Sequence, residues 1–223
     1  MLGMQITYLG HSCFKLKSKT GTVITDPYHD EATGLRLGKQ AADVVTMSHH
    51  HDDHNAGELI AGETRDKSFL IDRPGEYEVG GISVFGTQVA HDDKDGAERG
   101  VNTIFSILVE NLNICHLGDL GHLLTSEQIS RIGNVDILLC PIGGVYTIDY
   151  KQAIEVMNAL EPKIFIPMHY KVMGLNAKFD QVSTLADFEK EYGLAPEPVL
   201  KLEVAKDKLP DEMEIVVLER ASG

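Results

Sequence analysis

The chain has 223 residues, 43% hydrophobic and 24% charged, and carries a formal net charge of −14. These values exclude a disordered or fibrous chain, and the length is enough for one domain (residues 1–223) with a substantial core. The acidic balance argues against nucleic acid as a partner, and no apolar run reaches the length of a membrane span.

The first half reads as short β-strands separated by Gly and Asp. "QITYLG", "TVITDP", "DVVTMS", "KSFLID" and "ISVFG" are rich in β-branched and aromatic residues and end in turn formers. "FKLKSKT" is the densest basic stretch and reads as the solvated face of a strand. "NAGELI" has the composition of a helix start, and "TIFSILVENLNICHLG" reads as a hairpin turning at Glu110-Asn111. After Gly121 the pattern changes. Thr125 stands three residues before Gln128, the spacing of a capping box, so "LTSEQISRI" is predicted to be a helix. "DILLCPIGG" and "KIFIPMHY" are buried-type strands, and "MEIVVLE" is expected to close the chain as a strand. "DYKQAIEVMNAL" places Ile154, Met157 and Leu160 at helical spacing, and "STLADFEKEYG" is a helix stopped by Gly193. Strands first and strand–helix alternation afterwards indicate an α/β fold.

The N-terminal "MLGMQITYLGHSCF" has no basic region and no small-residue cleavage site, so no signal peptide is read there. Cys13, Cys115 and Cys140 are too few and too widely spaced for a disulfide framework. They read as reduced thiols of a cytoplasmic protein.

The chemistry concentrates in "TMSHHHDDHNAG". Taking His49, His51, Asp53 and His54 as HxHxDH, two histidines two apart in an extended segment point the same way and can reach one cation. Asp53 and His54 then sit at the turn and can face a second cation or a bound water. Imidazole and carboxylate suit Zn²⁺, Mn²⁺ or Fe²⁺. His50 and Asp52 fall between these positions and read as outward-facing or supporting residues. Further polar residues follow strands: Asp26, His91, Asp119 and His169. Residues at strand ends can converge on one edge of a sheet.

In chain order, "YLGHSCFKL", "TVITDPY", "SHHHDDH", "VAHDDKDGAERGVNT", "CHLGDLGH", "CPIGGVYTID" and "FIPMHYK" resemble the successive motifs of the metallo-β-lactamase-fold hydrolases. The likeness is greatest to small Zn-dependent members related to ascorbate-6-phosphate lactonase-like proteins. It implies a four-layer αββα sandwich with a binuclear site at one edge. It also implies a ligand set: His49, His51 and His91 for the first metal, Asp53, His54 and His169 for the second, and Asp119 bridging both. Two zinc ions are the implied cofactors, with manganese or iron as alternatives. A hydroxide between the ions is the implied nucleophile, and Asp53 and Asp119 are the implied catalytic carboxylates. Asp26 is either a turn residue or, by the resemblance, the support of a ligand imidazole from beneath. His11 is either site-lining or structural, His116 and His122 are either packed or turned to the cleft, and Tyr146 and Tyr170 either touch substrate or pack. His29 lies in a loop that can cover the pocket. The expected activity is hydrolysis of an ester-type bond, a lactone or a phosphoester, in a small molecule. A nuclease and a non-catalytic metal or ligand sensor are the rival readings. The resemblance also allows a homo-oligomer.

Overall fold

The structure is a computed structural model describing residues 3–221. Among the described residues fifteen strands and four α-helices follow one another. The strands are β1 (Met4–Gly10), β2 (Cys13–Lys17), β3 (Thr22–Thr25), β4 (Ala41–Ala42), β5 (Val44–Thr46), β6 (Ala61–Gly62), β7 (Phe69–Ile71), β8 (Gly75–Val79), β9 (Ile82–Ala90), β10 (Val101–Val109), β11 (Leu112–His116), β12 (Ile137–Pro141), β13 (Ile164–Met168), β14 (Leu202–Val204) and β15 (Glu214–Ile215). The helices are α1 (Asp30–Thr33), α2 (Ser126–Ile132), α3 (Tyr150–Leu160) and α4 (Leu185–Tyr192).

The strands form two main sheets, ordered β14-β1-β2-β3-β5-β7 and β15-β13-β12-β11-β10-β9-β8. The two-residue side-chain period of the strands explains the layering. In the first sheet Tyr8, Phe14, Val23 and Val44 join the large core shared with the second sheet. Their neighbours Leu9, Cys13, Ile24 and Val45 point the other way, into a smaller core closed by Tyr28, Leu35, Leu37, Ala42, Met47 and Ile60. That outer layer is thin: it holds the one-turn α1 and a 3₁₀ turn at Gly57–Leu59. On the second sheet α3 and α4 pack together near β12 and β13, with Phe188 of α4 stacked on Phe165 at 5.4 Å between ring centres. The result is the four-layer α/β arrangement that the family resemblance implies.

Helix ends follow their sequence signals. Thr125 and Gln128 form the reciprocal capping box, and Asp149 with Gln152 and Thr184 with Asp187 form two more. Gly193 ends α4 in the left-handed conformation. The β10–β11 turn has positive φ at both Glu110 (52°) and Asn111 (61°), the requirement of a tight hairpin with the sheet's twist.

Two expectations change, and two strands had no sequence signal. "NAGELI" makes only the 3₁₀ turn, because Ile60 is already extended and the chain enters β6, which pairs with β4. "MEIVVLE" pairs with the second sheet only at Glu214 and Ile215. Leu218 and Arg220 then bridge Val199 and Tyr8, so the segment crosses from one sheet to the other. β8 and β14 are edge strands whose charge-rich sequences "GEYEV" and "LEV" gave no strong strand signal.

Candidate metal centre

The topology decides where the polar residues meet. β1, β3 and β5 run in one direction in the first sheet, and β9, β11 and β13 share a direction in the second. The residues after their C-terminal ends are His11, Asp26, Ser48 to His54, His91, Asp119 and His169. All fall on one rim of the sandwich. Backbone hydrogen bonds tie the two sheets there: Thr103 N donates to Ser48 O at 2.8 Å and His169 N to His11 O at 2.9 Å. His11, Asp26 and His169 all have left-handed φ (56°, 39° and 51°), an uncommon state for residues with a Cβ. Each turns sharply off its strand and into the rim. Local strain of this kind persists where surrounding contacts fix it, as at functional sites.

Asp119 lies at the centre. Its Oδ2 is 3.3 Å from His54 Nε2, 3.3 Å from His169 Nε2, 3.6 Å from His91 Nε2 and 4.0 Å from His49 Nε2. His49, His51 and His91 form one compact group of potential ligand atoms. His54 and His169 form another, and its third member is His11, whose Nε2 is 3.2 Å from His54 Nε2. Asp53 Oδ2 lies 3.5 Å from His11 Nε2 and 3.3 Å from Lys178 Nζ. All seven residues expected to be ligands therefore meet, and His11 joins them.

The donor set fits metal ions. Two nitrogen or oxygen ligands about 2.0–2.1 Å from a tetrahedral ion stand about 3.3 Å from each other, near the shorter separations here. His49 Nε2 and Asp119 Oδ1 are buried without a hydrogen-bond partner among the described residues. A buried donor or acceptor left unpaired is costly, and a cation would satisfy both.

Electrostatics agree. Burial alone would keep Asp119 protonated, but His169 and His54 outweigh it and hold the carboxyl well below its ordinary range. Burial likewise opposes a charge on His54, yet Asp119 and Asp26 raise it well above the usual imidazole value. Two buried carboxylates thus favour a positive charge beside Asp119, which a bound cation would supply in place of the His54 proton. His11 is pushed down to about 3 by burial and by His169, and burial with His54 pushes His49 well down as well. Neutral imidazole is the ligating form.

The support beneath is Asp26, fully buried. Its Oδ2 accepts from His54 Nδ1 at 2.9 Å and from Ser48 Oγ at 2.5 Å, and Oδ1 accepts from Ser48 N at 2.8 Å. Ser48 Oγ also sits 2.9 Å from His49 Nδ1. One carboxylate thereby orients an imidazole in each group, directly for His54 and through Ser48 for His49. Asn102 does the same for the Asp119 backbone, accepting from Asp119 N at 2.9 Å and donating to Leu117 O at 2.8 Å.

Residues 5–169 match the model of the beta-lactamase superfamily domain. The chain belongs to the metallo-β-lactamase superfamily. It is 29% identical to the UPF0173 metal-dependent hydrolase of Thermoplasma acidophilum, over 92% of this chain and all of that one. It is 30% identical to a UPF0173 metal-dependent hydrolase of Carboxydothermus hydrogenoformans, over 75% of this chain and 84% of the relative. Among solved structures it resembles a Thermotoga maritima protein of the same superfamily, named as a Zn-dependent hydrolase. That match has a TM-score of 0.78 and 38% identity and covers 96% of this chain and 98% of the other. The protein is accordingly a metal-dependent hydrolase of this superfamily.

The remaining candidates separate. Tyr146 lines the cleft above the centre, and its hydroxyl donates to Lys178 O at 2.9 Å. Tyr170 is buried and stacks on Tyr8 at 6.3 Å, so it packs. His116 is fully buried, with Nε2 donating to Ser12 O at 2.8 Å and Nδ1 accepting from Gly118 N at 3.2 Å. His122 Nε2 accepts from Ala90 N at 3.3 Å and its Nδ1 meets Leu123 O at 2.8 Å, which fixes the end of β9. His29 lies 3.4 Å from Glu58. His50 and Asp52 are exposed on the cleft rim. Cys115 is buried among the apolar side chains of the main core and belongs to none of the groups of potential ligand atoms among the described residues. Ser48, Asn102, Arg99 and Lys178 carried no sequence signal of their own. Ser48 and Asn102 act through backbone geometry, and Arg99 and Lys178 lie on loops whose path only the fold sets.

Among the described residues no helix is long and apolar enough to cross a membrane.

Proposed function

We propose that this hydrolase cleaves an ester-type bond, a lactone or a phosphoester, in a small molecule. The observation that carries the reading is the set of imidazoles around Asp119 at the floor of a cleft of about 580 Å³. A cleft of that size suits a small ligand. The net charge of −14 is unfavourable to a nucleic acid.

The residues divide the work. His49, His51 and His91 would hold one ion, and His54, His169, Asp53 and His11 a second, with Asp119 between. Divalent ions there supply an acidified water and a Lewis acid for the carbonyl or phosphoryl oxygen. Zinc is the first candidate, supported by the name of the Thermotoga relative, and manganese and iron share the same donor chemistry. Asp53 faces the cleft with Oδ2 between Lys178 and His11. Burial works against its ionisation, but the His11 hydrogen bond and the His54 charge keep it below its ordinary value. Where only one ion is held and Asp53 is not a ligand, this carboxylate could take a proton from an attacking water. Asp26 keeps the ligand rings in place. The three thiols are free and buried, in keeping with a reducing, cytoplasmic setting.

The test is metal analysis of untagged protein beside a His51→Ala variant, followed by lactone and phosphodiester screening with the ion found. About two equivalents that fall in the variant, together with turnover of one substrate class, are expected. Less than about half an equivalent in the wild type, not restored by Zn²⁺ or Mn²⁺, overturns the reading.

A further inference from the structure

The loop between β9 and β10 is built around one carboxylate. Asp92 is buried and accepts four backbone N–H groups, from Lys94 (2.8 Å), Gly96 (2.8 Å), Glu98 (2.9 Å) and Arg99 (2.8 Å). Gly100 N donates to Gly96 O and His91 N to Gly100 O, which closes the loop on the residue that begins it. Such a loop has little freedom left, and it ends by presenting Arg99 to the cleft beside the metal centre.

The guanidinium carbon of Arg99 lies 5.7 Å from the centre of the Tyr146 ring. Tyr146 packs edge-on against Phe179, and Phe179 packs edge-on against both His11 and His169. A wall of rings thus leads from the metal centre to the guanidinium. The other fixed cation of the cleft, Lys178, is 3.3 Å from Asp53 and 4.7 Å from the Phe179 ring centre. Arg99 has no carboxylate within 4.0 Å among the described residues. Glu31 and Asp52 line the same cleft and leave Arg99 unpaired. An unpaired, half-buried guanidinium held on an aromatic face has its N–H fork free for a planar or tetrahedral anion. In a protein of net charge −14 it is a local exception to the prevailing field.

We propose that Arg99, backed by Tyr146, is an anion-binding subsite of the cleft, and that the substrate is an ester or lactone carrying a carboxylate or phosphate apart from the bond that is cleaved. This rests on the hydrolase reading for the word substrate. The subsite itself rests on the loop and the ring wall.

The test has two arms on metal-replete protein as purified. In the first, calorimetry follows binding of inorganic phosphate and of succinate to the wild type, Arg99→Ala and Arg99→Lys. Loss of a charge-assisted pair should weaken binding roughly 10- to 100-fold in Arg99→Ala, with partial recovery in Arg99→Lys. In the second, hydrolysis of a neutral ester is compared with that of the same ester bearing a carboxylate. The anionic-to-neutral ratio of kcat/KM should fall by a similar factor in Arg99→Ala, mainly through KM. Anion binding and ratio both unchanged in Arg99→Ala overturn the proposal. Equal loss on both esters with unchanged anion binding also overturns it, since Arg99 would then only shape the loop. If no ester is hydrolysed but anion binding depends on Arg99, the subsite stands and the hydrolase reading fails.

Discussion

Removing the Asp26 carboxylate should loosen both halves of the metal centre while touching no ligand. In Asp26→Ala the Ser48 hydroxyl can still reach His49 Nδ1, but Ser48 N and His54 Nδ1 lose their acceptors. Each buried N–H left unpaired costs about 1–3 kcal/mol, and breaking a buried charged pair costs about 3–5 kcal/mol, so a loss of about 3–5 kcal/mol in unfolding free energy is expected. The effect on the metals is separate. With nothing to hold the proton on Nδ1, His54 can place it on Nε2, the atom that faces Asp119 at 3.3 Å. Loss of such a support costs about 10- to 100-fold in metal affinity. Asp26→Asn sharpens the experiment: its amide oxygen can keep the Ser48 N bond, but its NH₂ cannot accept from His54 Nδ1. Asn should therefore cost less stability than Ala and at least as much metal affinity. Urea unfolding gives the first quantity, and competition with a chromophoric zinc chelator gives the second. Metal affinity within about two-fold of wild type in both variants would refute the coupling of Asp26 to the centre.

Three further outcomes follow from the same geometry. On the two-ion reading proposed above, His11→Ala should lower the bound metal toward one equivalent, because His11 Nε2 stands 3.2 Å from His54 Nε2; unchanged metal content would make it structural only. Gly121→Ala should destabilise the fold by about 3 kcal/mol and reduce metal content, since its Cβ would lie 2.3 Å from the backbone of His91 and Asp92, which cannot move without displacing the proposed ligand His91; a wild-type melting temperature would contradict this. His116 is held neutral because burial outweighs the charge of Asp26, so its folded value lies below the unfolded one. The unfolded chain then binds more protons, and the stability it contributes is present above about pH 6.5 and lost as pH falls, by up to about 1.4 kcal/mol per pH unit. His116→Gln keeps a donor for Ser12 O without titrating, and should flatten the acid limb of the urea-unfolding profile between about pH 6.5 and 5; an unchanged slope would show that His116 does not set it.

Much of this was legible in the chain because it is local. Capping boxes at Thr125, Asp149 and Thr184 are written within four residues, and the Glu110-Asn111 turn within two. The HxHxDH run carries four candidate ligands within six residues, and its order with the later single histidines and aspartate is a property of the sequence. What the sequence did not determine is what depends on where strands end in space. His11 lies 38 positions before His49 and gained its place only because β1 runs parallel to β3 and β5 and its left-handed turn carries the ring to His54. Ser48 and Asn102 are unremarkable in sequence and become supports through contacts across 22 and 17 positions. Arg99 is one basic residue among 20 until Asp92 fastens its loop against the cleft. Side-chain chemistry and short spacing set the ligand types, whereas strand direction, loop closure and burial decided which of those residues share one site.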